Sequence, residues 1–119
     1  MKQTNTDHTP TATWQDFEKI DMRIGRIIKA EIFAEAKVPA YKLEVDFGPD
    51  IGIKRSSAQI TKAYAPEDLV GKQVVCVVNF APKQIGPFLS EVLVMGSYSA
   101  QGVVLLRPDF VVESGDKIG

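Results

Sequence analysis

Six consecutive residues, Lys54-Arg55-Ser56-Ser57-Ala58-Gln59, carry two cations, two hydroxyls and one amide. They follow a short apolar approach, Ile51 and Ile53. A strand that only built a core would alternate apolar and polar residues and then turn. This one ends in groups that donate hydrogen bonds to phosphate or to a peptide backbone. The bland alternative is that Ser and Asn near strand ends satisfy turn backbone, and that Lys54 and Arg55 are solvated surface charges.

Catalytic constellations are absent from the sequence. The one histidine, His8, stands in a polar N-terminal stretch. With one cysteine, Cys76, the chain lacks the ligands of a structural zinc site. A serine nucleophile needs a base, and the middle of the chain offers no histidine. Asp46 and Asp50 flank a turn without a partner. Gly48 and Gly52 lack the surroundings of a phosphate-cradling loop. The expectation is a binding protein and not an enzyme, with no metal and no cofactor.

The elements that must position this cluster follow from periodicity. Thr13 caps a short helix, with Asp16 in a capping-box position, and Trp14, Phe17 and Ile20 at spacing three. Residues 22–33 alternate, placing Met22, Ile24, Ile28, Ala30 and Ile32 on one face of a long strand; Gly25 suggests a bend or bulge. A loop over 34–40 precedes a second strand, in which Tyr41, Leu43, Val45 and Phe47 share one face. Gly48-Pro49-Asp50 turns the chain into a third strand over 51–57. Residues 60–64 and 66–69 read as short helical turns, the second opened by Pro66. The run Val74-Val75-Cys76-Val77-Val78 reads as a strand covered on both faces. Residues 80–89 form a loop, 92–95 a fifth strand, 97–101 a turn, and 103–106 a further short strand. Strand, strand, strand, helix, strand, strand is the order of an OB-fold. This is an all-β, five-stranded Greek-key barrel with a helix between strands three and four, here with an N-terminal helix and a C-terminal extension.

Length and charge fit that picture. At 119 residues, with 45% hydrophobic and 24% charged side chains, one domain with its own core is expected. A loose tail is read over 1–12 and the folded domain over 13–119. Net charge is −1. Residues 51–90 carry a local +3 against −4 elsewhere, so any anion site is modest and central. No apolar run reaches the length of a membrane helix and the N-terminus lacks a signal-peptide core; a cytoplasmic protein without membrane insertion is the reading.

An OB-fold binds on strands two and three, between the loops joining strands one to two and four to five. That scheme gathers Ser56, Ser57 and Gln59 with Asn79, Lys83, Ser90 and Glu91 at one mouth of the barrel, with Lys54 and Arg55 as electrostatic support. Phe88 and Tyr41 are candidates for stacking surface, although Tyr41 shares the phase of the core residues.

Residues 17–27 (FEKIDMRIGRI) resemble the opening of the tRNA-binding domain family. The resemblance continues through 42–48, Ser56-Ser57-Ala58-Gln59-Ile60, 69–72, 78–83 and 90–96. Within that family, Ser56-Ser57-Ala58-Gln59-Ile60 and the short length are most similar to the bacterial secretion-related chaperones. The resemblance implies an OB-fold homodimer whose terminal extensions bring the subunits together. It also implies binding without catalysis, of unfolded or pre-secretory polypeptide or of tRNA. By position it places Ser56, Ser57, Gln59, Asn79, Lys83, Ser90 and Glu91 at the shared site. The acidic balance departs from dedicated tRNA binders, since phosphate contacts supply much of nucleic-acid affinity.

Overall fold

A computed structural model describes residues 9–119. His8 and most of the expected tail lie outside the described residues. The chain opens with helix α1 (Trp14–Glu18). Its N-terminus is closed as expected: Thr13 Oγ1 accepts from Asp16 N at 3.2 Å, and Thr13 N donates to Asp16 Oδ2 at 2.9 Å. None of its residues is buried.

Strands β1 (Met22–Ile32), β2 (Tyr41–Asp46) and β3 (Ile53–Ala58) form an antiparallel meander. Helix α2 (Pro66–Leu69) leads into β4 (Gln73–Val77), followed by hairpin β5 (Lys83–Ile85) and β6 (Phe88–Ser90). Then come β7 (Leu93–Val94), β8 (Gly96–Ser99) and β9 (Gly102–Leu105). The main sheet has the order β3-β2-β1-β4-β7. Its two edges, β3 and β7, curl round into contact, and the result is the OB-fold barrel.

The second strand behaves as its alternation predicts: Tyr41, Leu43, Val45 and Phe47 are all buried and form the centre of the core with Ile27, Leu69, Val74 and Cys76. The first strand does not keep one phase. The register with β2 slips between Ile27 and Lys29, so Ile28 is an extra residue, a bulge. Ile24 and Ile27 are buried while Ile28 and Ile32 are exposed. The expected single face of Met22, Ile24, Ile28, Ala30 and Ile32 is therefore broken. The cause is the strand's double duty: residues 22–26 pair with β4 and 26–32 with β2, and the bulge bends one into the other. Gly25 has a different reason for being glycine. A Cβ there would lie 2.5 Å from Val45 Cγ1 and 2.7 Å from Phe47 Cε1.

Three local expectations are corrected. Residues 60–64 form a turn and no helix, while α2 starts at Pro66 as read. The 80–89 loop contains hairpin β5–β6, and the 97–101 turn is mostly strand β8. The hairpin is held from outside: Phe88 packs edge-on against Phe33 at 5.4 Å between centroids, in a small cluster with Ala40.

The C-terminal segment is tied to β1. Gly115 N donates to Ile24 O at 2.7 Å, Ile24 N to Asp116 O at 2.9 Å and Ile118 N to Met22 O at 2.9 Å. The buried Gln73 amide clasps Val112 at both ends, Nε2 to its O at 2.6 Å and Oε1 from its N at 3.0 Å. At the edge of this seam Arg23 Nε bonds Asp21 Oδ1 at 2.7 Å; the guanidinium's hydrogen bond holds the Asp21 carboxyl below its ordinary value.

Candidate binding groove at the barrel seam

The seam between β3 and the 90–94 segment positions most of the predicted polar residues. Arg55 O accepts from Glu91 N at 2.8 Å and Val92 N at 3.3 Å. Arg55 N donates to Glu91 Oε1 at 3.0 Å, and Ser57 N to Ser90 Oγ at 3.0 Å. Ser90 and Glu91 thus replace a backbone ladder that β3 and β7 do not form. Their side chains close the barrel and also front its outer surface.

Outside this stitching lie two adjoining cavities. One, of about 290 Å³, is lined by Ser57, Gln59, Lys83, Ser90 and Glu91 together with the apolar Phe80, Ile85 and Leu93. The other, of about 310 Å³, lies between residues 57–60 and 93–96 and reaches Tyr98 and Val103. Ser57, Gln59 and Leu93 belong to both, so the two make one groove. Phe80, Leu93 and Tyr98 keep about half of their surface in solvent along it.

Five predicted site residues (Ser57, Gln59, Lys83, Ser90 and Glu91) therefore meet. Two others are placed elsewhere. Ser56 is 1% exposed, opposite Leu43 in the β2–β3 register, and its hydroxyl has no hydrogen-bond partner among the described residues. Adjacent strand residues face opposite ways, so Ser56 and Ser57 do not present one surface. Asn79 is occupied with the N-terminal helix: its Oδ1 accepts from Asp21 N at 2.8 Å and its Nδ2 donates to Lys19 O at 2.7 Å. Phe88 and Tyr41, the candidate stacking residues, are both interior. Tyr41 spends its hydroxyl on Tyr64 O at 2.6 Å.

The electrostatics of the neighbouring face are self-compensated. Lys42 lies 3.8 Å from Glu31, Lys29 4.0 Å from Glu44 and Arg55 3.9 Å from Glu91. Exposed pairs like these stabilise little, but they leave those cations with reduced attraction for phosphate. Arg55 also lies 5.1 Å from the Phe88 ring and Lys42 5.4 Å from that of Phe33, so Arg55 serves as a lid on the hairpin more than as a free charge. Lys83 and Lys54 make no ion pair among the described residues. Lys54 shares the phase of Ser56 on β3, away from the groove.

The apolar residues Phe80, Leu93 and Tyr98 escaped the sequence reading. Phe80 and Tyr98 fell in segments read as loop and turn, and Leu93 in a fifth strand whose two faces were not told apart. The available signal was Leu93 itself: its neighbours Val92 and Val94 occupy the opposite phase, so one of the two sets had to face out.

Comparison with known proteins agrees with this architecture. Residues 22–117 match the putative tRNA binding domain. The chaperone CsaA of Bacillus anthracis str. Ames is 53% identical, with a TM-score of 0.86 over 92% of this chain and 100% of that one. The CsaA chaperone of Picrophilus torridus is 52% identical, with a TM-score of 0.88 over the same shares. The methionine–tRNA ligase of Thiobacillus denitrificans is 36% identical over 117 residues, but the chain spans only 17% of that protein's length. With the matched segment covering β1 through the C-terminal strap, the chain belongs to the tRNA-binding domain family, on the side of it that the CsaA chaperones occupy.

Proposed function

We propose that this protein is a non-catalytic, CsaA-like chaperone that holds unfolded or pre-secretory polypeptide in the groove at the barrel seam. One observation carries the reading: the groove is an apolar surface edged with hydrogen-bonding groups, beside a face whose cations are already paired. Sites for polypeptide need apolar pockets with a few polar groups to bond the backbone. The CsaA relatives support it. In this reading Ser57, Gln59, Lys83, Ser90 and Glu91 form the contact surface and Lys54 and Arg55 add only a weak field. The protein acts in the cytoplasm, in keeping with its one free, buried cysteine.

The same reading makes it a homodimer. Trp14, Phe110 and Val111 are each about four-fifths exposed. Such apolar surface on the terminal extensions suits a second copy of the chain.

tRNA is the second reading, favoured by the domain match and by Lys83, which makes no ion pair among the described residues. One experiment separates them: binding of reduced, carboxymethylated α-lactalbumin and of labelled tRNA across a salt titration. The polypeptide is expected to bind with little salt dependence, and Leu93→Asp to weaken it by about tenfold or more, as for a central apolar contact. A tRNA reading resting on two or three phosphates requires a log–log salt slope of roughly −2. Tight tRNA binding with that slope, alongside no capture of the unfolded protein, would overturn the chaperone reading.

A further inference from the structure

The two edges of the main sheet meet without pairing. β3 has β2 on one side and β7 has β4 on one side; among the described residues neither has a strand on the other. The stitching that joins them ends at Ser57. Past that point, residues 57–60 and 93–96 become the facing walls of the 310 Å³ cavity.

The backbone on both walls is open toward that cavity. In an antiparallel ladder, successive residues turn their N–H and C=O alternately toward and away from the neighbouring strand. Ser57 N donates to Ser90 Oγ, across the seam from β2, so the Ser57 carbonyl points across the seam too. On the other wall Met95 N donates to Val75 O in β4 at 2.9 Å. Its neighbour Val94 therefore turns its peptide groups away from β4, to the side where β7 has no strand among the described residues. Natural proteins guard open edges with charge, proline or a covering segment. Among the described residues the lining has no charged side chain and no proline.

We propose that this cavity takes an extended polypeptide segment as an added strand, bonded through its own backbone to the Ser57 carbonyl and the Val94 peptide groups. The proposal rests on the polypeptide reading above and supplies the form of its ligand. The segment runs extended over a few residues. It has no proline at a bonded position, and it sets small or β-branched apolar side chains against Ile60 and Val103. Recognition through the main chain explains how one groove accepts unrelated sequences, since every peptide offers the same donors and acceptors.

The test is a backbone scan. Short peptides tiling reduced, carboxymethylated α-lactalbumin are screened against the intact protein, and the tightest is remade with each backbone nitrogen methylated in turn. Methylation deletes one donor and keeps the side chain. The expected result is a loss of roughly fivefold to tenfold at alternate positions, with little change between them, together with slowed hydrogen exchange at the Val94 amide on binding. Binding that survives methylation at every position, with Val94 exchange unaltered, overturns strand addition and leaves polypeptide capture standing. Absence of any peptide binding overturns both.

Discussion

Ser56 illustrates how a residue type can point to chemistry that its position withholds. Its hydroxyl is buried opposite Leu43 with no hydrogen-bond partner among the described residues. Burying a polar group without a hydrogen bond costs about 1–3 kcal/mol. Ser56→Ala is therefore expected to raise the melting temperature in calorimetry and to leave polypeptide binding unchanged. A weaker complex would return Ser56 to the site. Ser57, one residue on, carries the opposite expectation, because its own N–H is already held by Ser90 and its side chain fronts both cavities. A stretch of six residues, five of them polar, thus divides into an inner and an outer set. The division was available from strand alternation alone; what the sequence lacked was the partner of each set.

At the level of elements, strands with a strong private pattern were legible and those defined by a neighbour were not. β2 was read correctly because Tyr41, Leu43, Val45 and Phe47 repeat every second residue. β4 was legible as an unbroken apolar run, and α2 by Pro66. β5, β6 and β8 are three or four residues each, too short to show a period; the first two exist because Phe88 finds Phe33. The bulge at Ile28 was also hidden, since it serves two different partner strands. Helix α1 is the most dependent element, five residues long with nothing buried. Besides its own capping box, its end is held by the Asn79 amide across 60 residues of sequence. Asn79→Ala removes both bonds at once, at an expected cost of about 1–3 kcal/mol. It should also weaken self-association in sedimentation at micromolar concentration by freeing Trp14 and Phe17. A variant that dimerises like the parent would show that α1 takes no part in the interface.

Across the whole molecule, the barrel is closed by unlike means at its two ends. The C-terminal strap bonds along β1 and through Gln73, whereas the β3–β7 seam relies on Ser90, Glu91 and one carbonyl. Rigid at one end and open at the other, the fold keeps its groove next to its least secured edge, where opening costs least. The lone thiol lies within this barrel, on β4. Cys76 is 0% exposed, and burial pushes its pKa up to about 12, while alkylation requires thiolate. At neutral pH, then, iodoacetamide has no target until the barrel gives way. Labelling of Cys76 followed by mass spectrometry should report each opening of the closed fold. It should be slow in the native protein, about as fast as a free thiol in denaturant, and slower still when the seam is filled. The molecule carries its own clock, and the rate at which it runs measures how often the barrel itself comes undone.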